Sequence, residues 1–89
     1  MNRFNFSSKF KRDLKKLQIE LSLLPEWIEV ASCLLNNKQM AKKYCDHDLK
    51  HDWNGFRECH ILPDLLLIYK QKDDIIHLVR IGSHSELFG

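Results

Sequence analysis

Eighty-nine residues, 44% hydrophobic and 29% charged, suffice for one folded domain over 1–89 with a modest core, and exclude both a disordered chain and a multidomain one. No run of about 18 apolar residues occurs, so no membrane span is expected, and the basic start MNRFNFSSKFKRDLKKL lacks the apolar stretch of a secretory signal. A cytoplasmic protein is the expectation. The net charge of +2 hides a division, with nine Lys/Arg against four Asp/Glu in residues 1–45 and five against eight in residues 46–89. The basic half suits either a solvated helix face or a polyanion such as RNA.

In chain order, Phe4 and Phe6 alternate with Arg3 and Asn5 as a short strand. Ser7 and Ser8 offer a helix cap. Phe10, Leu14, Leu17, Leu21 and Leu24 then recur at steps of four and three, one helical stripe, with Lys9, Lys11, Arg12, Lys15 and Lys16 at the other positions. Pro25 suits the first turn of a second helix, whose Trp27, Val30, Ala31 and Leu34 share a face, and Asn36-Asn37 ends it. Residues 38–45 read as a helical turn and a loop. From there the period changes. Phe56 to Ile61 alternates as a strand, and Pro63-Asp64 marks a turn. Leu65 to Lys70 is almost wholly apolar, as in a central strand covered on both faces. Lys72-Asp73-Asp74 connects it to a further strand, Ile75 to Ile81. The expected fold is α+β: an N-terminal strand and two helices packed on one face of a mainly antiparallel four-stranded sheet.

The chemistry-bearing residues lie in the second half. No histidine precedes Asp46. Imidazole titrates near neutrality and is the side chain best suited to moving protons. Glu58 and His60 are two apart on a strand, so they share a face. Arg80 shares a face with His84 if the chain stays extended through Gly82, whereas His77 alternates with Ile75 and Val79 and reads as structural. Across two strand spacings, about 9.6 Å, such side chains can converge on a phosphodiester. RNA carries its own nucleophile, the 2′-hydroxyl. A base to deprotonate it, a cation for the phosphorane charge and an acid for the departing 5′-oxygen complete the reaction without a metal or other cofactor. Trp53, Phe56 and Phe88 are aromatics able to stack on a base. His51 falls in the polar loop KHDWNG.

A zinc site would need Cys45, His47, Cys59 and His60. Their spacing is too tight, and adjacent Cys59 and His60 point to opposite faces, so no metal site is expected. The three cysteines, Cys33, Cys45 and Cys59, are odd in number and irregularly spaced, which argues for free thiols.

The segments DHDL, W-x-G-F-R-E-x-H-I-x-P-D, L-L-L-I-Y and R-I-G-S-H-S-E-L-F-G, from about Asp46 to Gly89, closely resemble the YafQ branch of the RelE-type toxins of bacterial toxin–antitoxin modules. The resemblance implies a microbial-ribonuclease-like fold. It also implies a metal-free, ribosome-dependent mRNA endonuclease that cuts in the A site and is silenced by a cognate antitoxin. Carried over motif by motif, it marks His47, His60, Asp64, His84 and Phe88 as active-site positions, with Arg80 where relatives place a strand arginine. His84 is then the general acid, and Asp64 or His60 the base. His47 and Arg80 hold the phosphate, and Phe88 positions a base. Trp53, Glu58 and Lys50, with the helix lysines Lys9, Lys11 and Lys15, are the expected contacts to mRNA and rRNA. The toxin alone is expected to be monomeric, with operator DNA reached only through the antitoxin. The competing expectation is a noncatalytic protein of the same fold, an antitoxin-binding corepressor or a degenerate toxin.

Overall fold

In the computed structural model, which describes residues 1–89, Arg3–Phe6 forms β1 and Ser8–Leu17 forms α1. One hydroxyl joins them to the sheet. Ser7 Oγ accepts the Phe10 N–H at 3.0 Å as the helix cap and donates to the Val79 carbonyl at 2.8 Å. The apolar stripe outlasts the helix. Gln18 takes a left-handed conformation (φ 55) and stops α1, and the stripe continues through a 3-10 turn at Leu21–Leu23. Pro25 opens α2 (Pro25–Leu35) at its first turn, where a missing N–H costs nothing. The C-terminal end of α2 is sealed by the buried Asn2, whose side-chain amide donates to the Leu34 carbonyl at 2.9 Å and to Asn37 Oδ1 at 2.8 Å.

The second half supplies β2 (His47–Asp48), β3 (Arg57–Leu62), β4 (Leu65–Lys72) and β5 (Ile75–Gly82), followed by α3 (His84–Phe88). The strand order is β1-β5-β4-β3-β2; β1 runs parallel to β5 and the other pairings are antiparallel. The expected N-terminal strand, two helices and mainly antiparallel sheet are all present. Two short elements add to them: the two-residue edge strand β2, too short to show a period in the sequence, which makes the sheet five-stranded where four strands were expected, and the five-residue helix α3.

The main core lies between the helices and one sheet face. Phe10, Val30 and Leu34 pack there against Cys59, Ile61, Leu67, Leu78 and Ile81. Phe10 is wholly buried, and cutting it to alanine would cost about 3–5 kcal/mol. On the opposite, outer face a smaller cluster of Leu66, Ile68 and Leu87 is bordered by Trp53, Phe56, Val79 and Phe88. The central strand β4 is thus covered on both faces, which is why its sequence is continuously apolar.

Two local breaks overturn face assignments made by counting along the chain. Ile68 pairs with Arg80 but Tyr69 pairs with Leu78, so Val79 is an extra, bulged residue in β5. The bulge resets the alternation and puts His77, the partner of Lys70, on the same outer face as Arg80. His77 still lies apart from the other histidines, roughly 16 Å down the strand from Gly82. There its Nδ1 pairs with Asn5 Nδ2 at 3.0 Å. The chain also does not stay extended past Gly82. Ser83 caps α3, so His84 sits on a helix, and its relation to Arg80 is not one of strand parity.

Candidate active site

Two adjacent rows of cross-strand partners organise the β2 edge. His47, Glu58, Ile68 and Arg80 are register partners across β2, β3, β4 and β5, and they face outward. Glu58 is the only buried acidic residue, and a buried carboxylate is tolerated only when paired. Its Oε1 lies 3.5 Å from His47 Nε2 and 3.3 Å from His60 Nε2, so one oxygen serves two imidazoles whose ring centres are 6.5 Å apart. His47 Nδ1 lies 2.5 Å from the Cys45 carbonyl oxygen, which can only accept, so Nδ1 carries a proton and Nε2 is the nitrogen turned to Glu58. His60 also borders a cleft of about 450 Å³ shared with Lys43, Tyr44, Cys45 and Leu62.

The remaining histidine of the motif comes from the chain's last helix. His60 pairs with Leu66 and Leu66 with Gly82, so the chain leaves β5 for His84 about two strand spacings, roughly 9.6 Å, from His60. Ser83 and Glu86 form a reciprocal capping box, and the Ser83 N–H holds the Glu86 carboxyl below its usual range. Asp64, in the β3–β4 turn, accepts the backbone N–H of His84 at 3.1 Å. The His84 ring rests on Phe88 one helical turn on, with centroids 5.1 Å apart. Phe88 meets Trp53 at 6.2 Å, Trp53 meets Phe56 at 5.4 Å, and Lys70 Nζ lies 5.2 Å over the Phe56 ring. These aromatics have a packing task, closing the outer core, besides any contact with a base. The tight approach of α3 explains Gly82. A Cβ there would stand 3.2 Å from Glu86 Oε1 and 3.4 Å from Leu87 Cδ2.

Arg80 is engaged at the other side of the row. Its Nε and Nη2 donate to the two Asp13 oxygens at 2.7 and 3.1 Å, and Asp13 Oδ2 also accepts the Ile81 N–H at 3.0 Å. Beyond the end of β1 that N–H would otherwise lack a partner. Burial pushes the Asp13 carboxyl up, but Arg80 and the Ile81 N–H outweigh it, and the net is below the usual range. Lys9, Arg12 and Lys16 line a cleft of about 300 Å³ with Asp13 and Arg80. Of the three expected helix lysines, Lys9 is therefore beside Arg80, while the exposed Lys11 and Lys15 lie outside this cleft. Lys50 is exposed in the loop, and His51 sits exposed at φ 57 in the 3-10 turn His51–Trp53, apart from the Glu58 group.

Cys59 is buried on the helix side, where burial raises its thiol pKa, while His60 faces outward. No three His, Cys, Asp or Glu side chains gather as a metal-holding group. Asp13, Asp46, Arg57 and Tyr69 were not singled out by the sequence. Their places depend on helix docking and cross-strand register, although the acids flanking His47 in DHD were a visible signal.

Residues 2–89 match the family model described as "Bacterial toxin of type II toxin-antitoxin system, YafQ". The chain belongs to the YafQ toxin family. It is 34% identical over 85 residues to the mRNA interferase toxin YafQ of Escherichia coli, covering 94% of this chain and 92% of the relative. Among solved structures, the E. coli DinJ–YafQ complex superposes with a TM-score of 0.83 at 32% identity, covering all of both chains. A metal-bound toxin from Helicobacter pylori superposes at 0.86 with 43% identity, covering 99% of this chain and 100% of that one. Membership in the YafQ family makes the chain an endoribonuclease toxin of a type II system with a RelE-like fold.

Proposed function

We propose that this toxin cuts mRNA in the ribosomal A site by acid–base catalysis, using its own side chains and the substrate's 2′-hydroxyl. The observation that carries the reading is the buried Glu58 carboxylate shared by His47 and His60, with His84 placed across the outer face. His60 takes the 2′-hydroxyl proton while Glu58 holds the imidazole. The freed 2′-oxygen attacks the phosphorus and passes through a phosphorane. His84 gives a proton to the 5′-oxygen as that bond breaks, leaving a 2′,3′-cyclic phosphate and a 5′-hydroxyl. His47 and Arg80 bind the phosphate and its developing charge, Asp64 holds the start of α3, and Phe88 supports the His84 ring and the adjacent base. The scheme draws its base, acid and cation from the chain's own side chains and invokes no metal.

The basic α1 face, with Lys9 beside Arg80, meets RNA phosphates, and Lys11, Lys15, Lys50 and Trp53 extend that surface. A cognate antitoxin binds the toxin, as DinJ binds YafQ in the solved E. coli complexes, and through it the toxin reaches operator DNA. The action is in the cytoplasm, and no helix is long and apolar enough to cross a membrane. The test is induced expression followed by primer extension on cellular mRNA. Cuts within codons, abolished in the His60→Ala/His84→Ala double variant, are expected. Antitoxin binding with no cleavage would instead indicate a noncatalytic protein.

A further inference from the structure

The row behind the His47–Glu58 row carries a second polar network. Asp48 pairs with Arg57 across β2–β3, and Arg57 with Tyr69 across β3–β4, so this row faces the helices. There the Arg57 guanidinium reaches both acids that flank His47. Its Nη1 lies 2.5 Å from Asp48 Oδ1 and its Nη2 3.3 Å from Asp46 Oδ2. The Tyr69 hydroxyl donates to Asp46 Oδ1 at 2.5 Å and accepts from Arg57 Nε at 3.3 Å. Tyr69 is buried. Burial, reinforced by Asp46, pushes its phenol well above the usual range, so the hydroxyl stays a donor.

The strand this network holds is two residues long and sits at the sheet edge. A strand that short has too few ladder bonds to hold its own register. Successive residues of a strand point to opposite faces. Fastening the residues on either side of His47 to the helix side therefore turns His47 outward, toward Glu58. We propose that Asp46, Arg57 and Tyr69, with Asp48, act as positioning residues. They clamp the chain on both sides of His47, set its ring against Glu58 and hold the Cys45 carbonyl where it accepts the hydrogen bond from His47 Nδ1. An arginine suits the place because its planar fork spans two carboxylates and a hydroxyl at once, which a lysine ammonium cannot. The consequence for catalysis rests on the reading that His47 belongs to the active site.

The test uses the purified full chain in two measurements. In the first, long-range ¹H–¹⁵N spectra of the imidazoles are compared between wild type and Arg57→Lys. The His47 ring signals are expected to move while those of His77 and His84 stay. Unmoved His47 signals overturn the clamp. In the second, cleavage of ribosome-bound mRNA is followed for Arg57→Lys with and without His47→Ala. Arg57→Lys is expected to lower kcat by up to about a hundredfold with little change in KM, the scale of a misplaced reacting group. In the His47→Ala background it should cost nothing further, and a full additional loss there overturns action through His47. If His47→Ala alone cleaves like wild type, the catalytic reading of His47 fails, and the ring signals still decide the clamp. The Asp48 side chain is 76% exposed, so Asp48→Asn repeats both measurements should Arg57→Lys not fold.

Discussion

Glu58 Oε1 lies 3.3 Å from His60 Nε2, and the Glu58 side chain is only 7% exposed. A carboxylate so placed has few solvent partners, and its charge is directed at the histidines. Glu58→Gln keeps the shape and removes the charge. Cleavage of ribosome-bound mRNA is expected to fall less for this variant than for His60→Ala, for which a loss of about 10²–10⁴ is the usual scale. The double variant should be little worse than His60→Ala alone, because the two residues act as one unit. Single-turnover rates of all three check this.

The Asp13–Arg80 pair gives a stability prediction with a sign. The folded Asp13 carboxyl lies below its ordinary value. Its contribution is therefore present above the unfolded carboxylate range, about pH 4, and disappears as pH falls through the lower folded value. Asp13→Asn should destabilise the protein by about 1.5–3 kcal/mol at pH 7, the scale of a hydrogen bond to a charged group. In urea unfolding at a series of pH values, the gap to wild type should narrow below about pH 4.

Loss of the α3 cap should act on the site at a distance. Ser83→Ala removes the hydroxyl that accepts the Glu86 N–H and should cost about 1 kcal/mol. The fraying loosens Phe88 from Trp53 and His84 from its place. Trp53 fluorescence and cleavage rate should change together, with Asp64→Ala giving the same pair of effects through the His84 N–H.

The cleft beside Arg80 makes the α1 cations unequal. Lys9, Arg12 and Lys16 converge on it, whereas Lys11 and Lys15 do not. Replacing the first three with alanine should weaken ribosome binding more than replacing the other two. It should also flatten the salt dependence by about 0.7–0.9 for each RNA phosphate that is no longer neutralised. Binding measured across a range of salt concentrations separates the two sets.

What could be read along the chain was whatever repeats within one element. The stripe beginning at Phe10 announced α1, although it ran on past the helix end at Leu17, and the apolar run of β4 announced the central strand. Glu58 and His60 declared a common face because two-residue alternation holds inside β3. What needed a neighbouring strand stayed hidden. The Val79 bulge and the Ser83 cap broke the count that linked Arg80 to His84 and separated it from His77. The strand β2 is too short to show any period. Asp13 is the one acid of the basic α1, and its role appears only where α1 docks against the end of β5; Arg57 gains its meaning only once its register brings Asp46, Asp48 and Tyr69 around it.

The proposed site is divided, with base chemistry at His60 beside Glu58 and acid chemistry at His84 on α3. Cleavage of an mRNA carrying sulfur in place of the scissile 5′-oxygen tests it most directly, because a thiolate leaves without needing a proton. On this substrate His84→Ala should recover most of its rate relative to wild type, while His60→Ala should stay slow. Equal defects of His84→Ala on the oxygen and sulfur substrates would contradict the assignment.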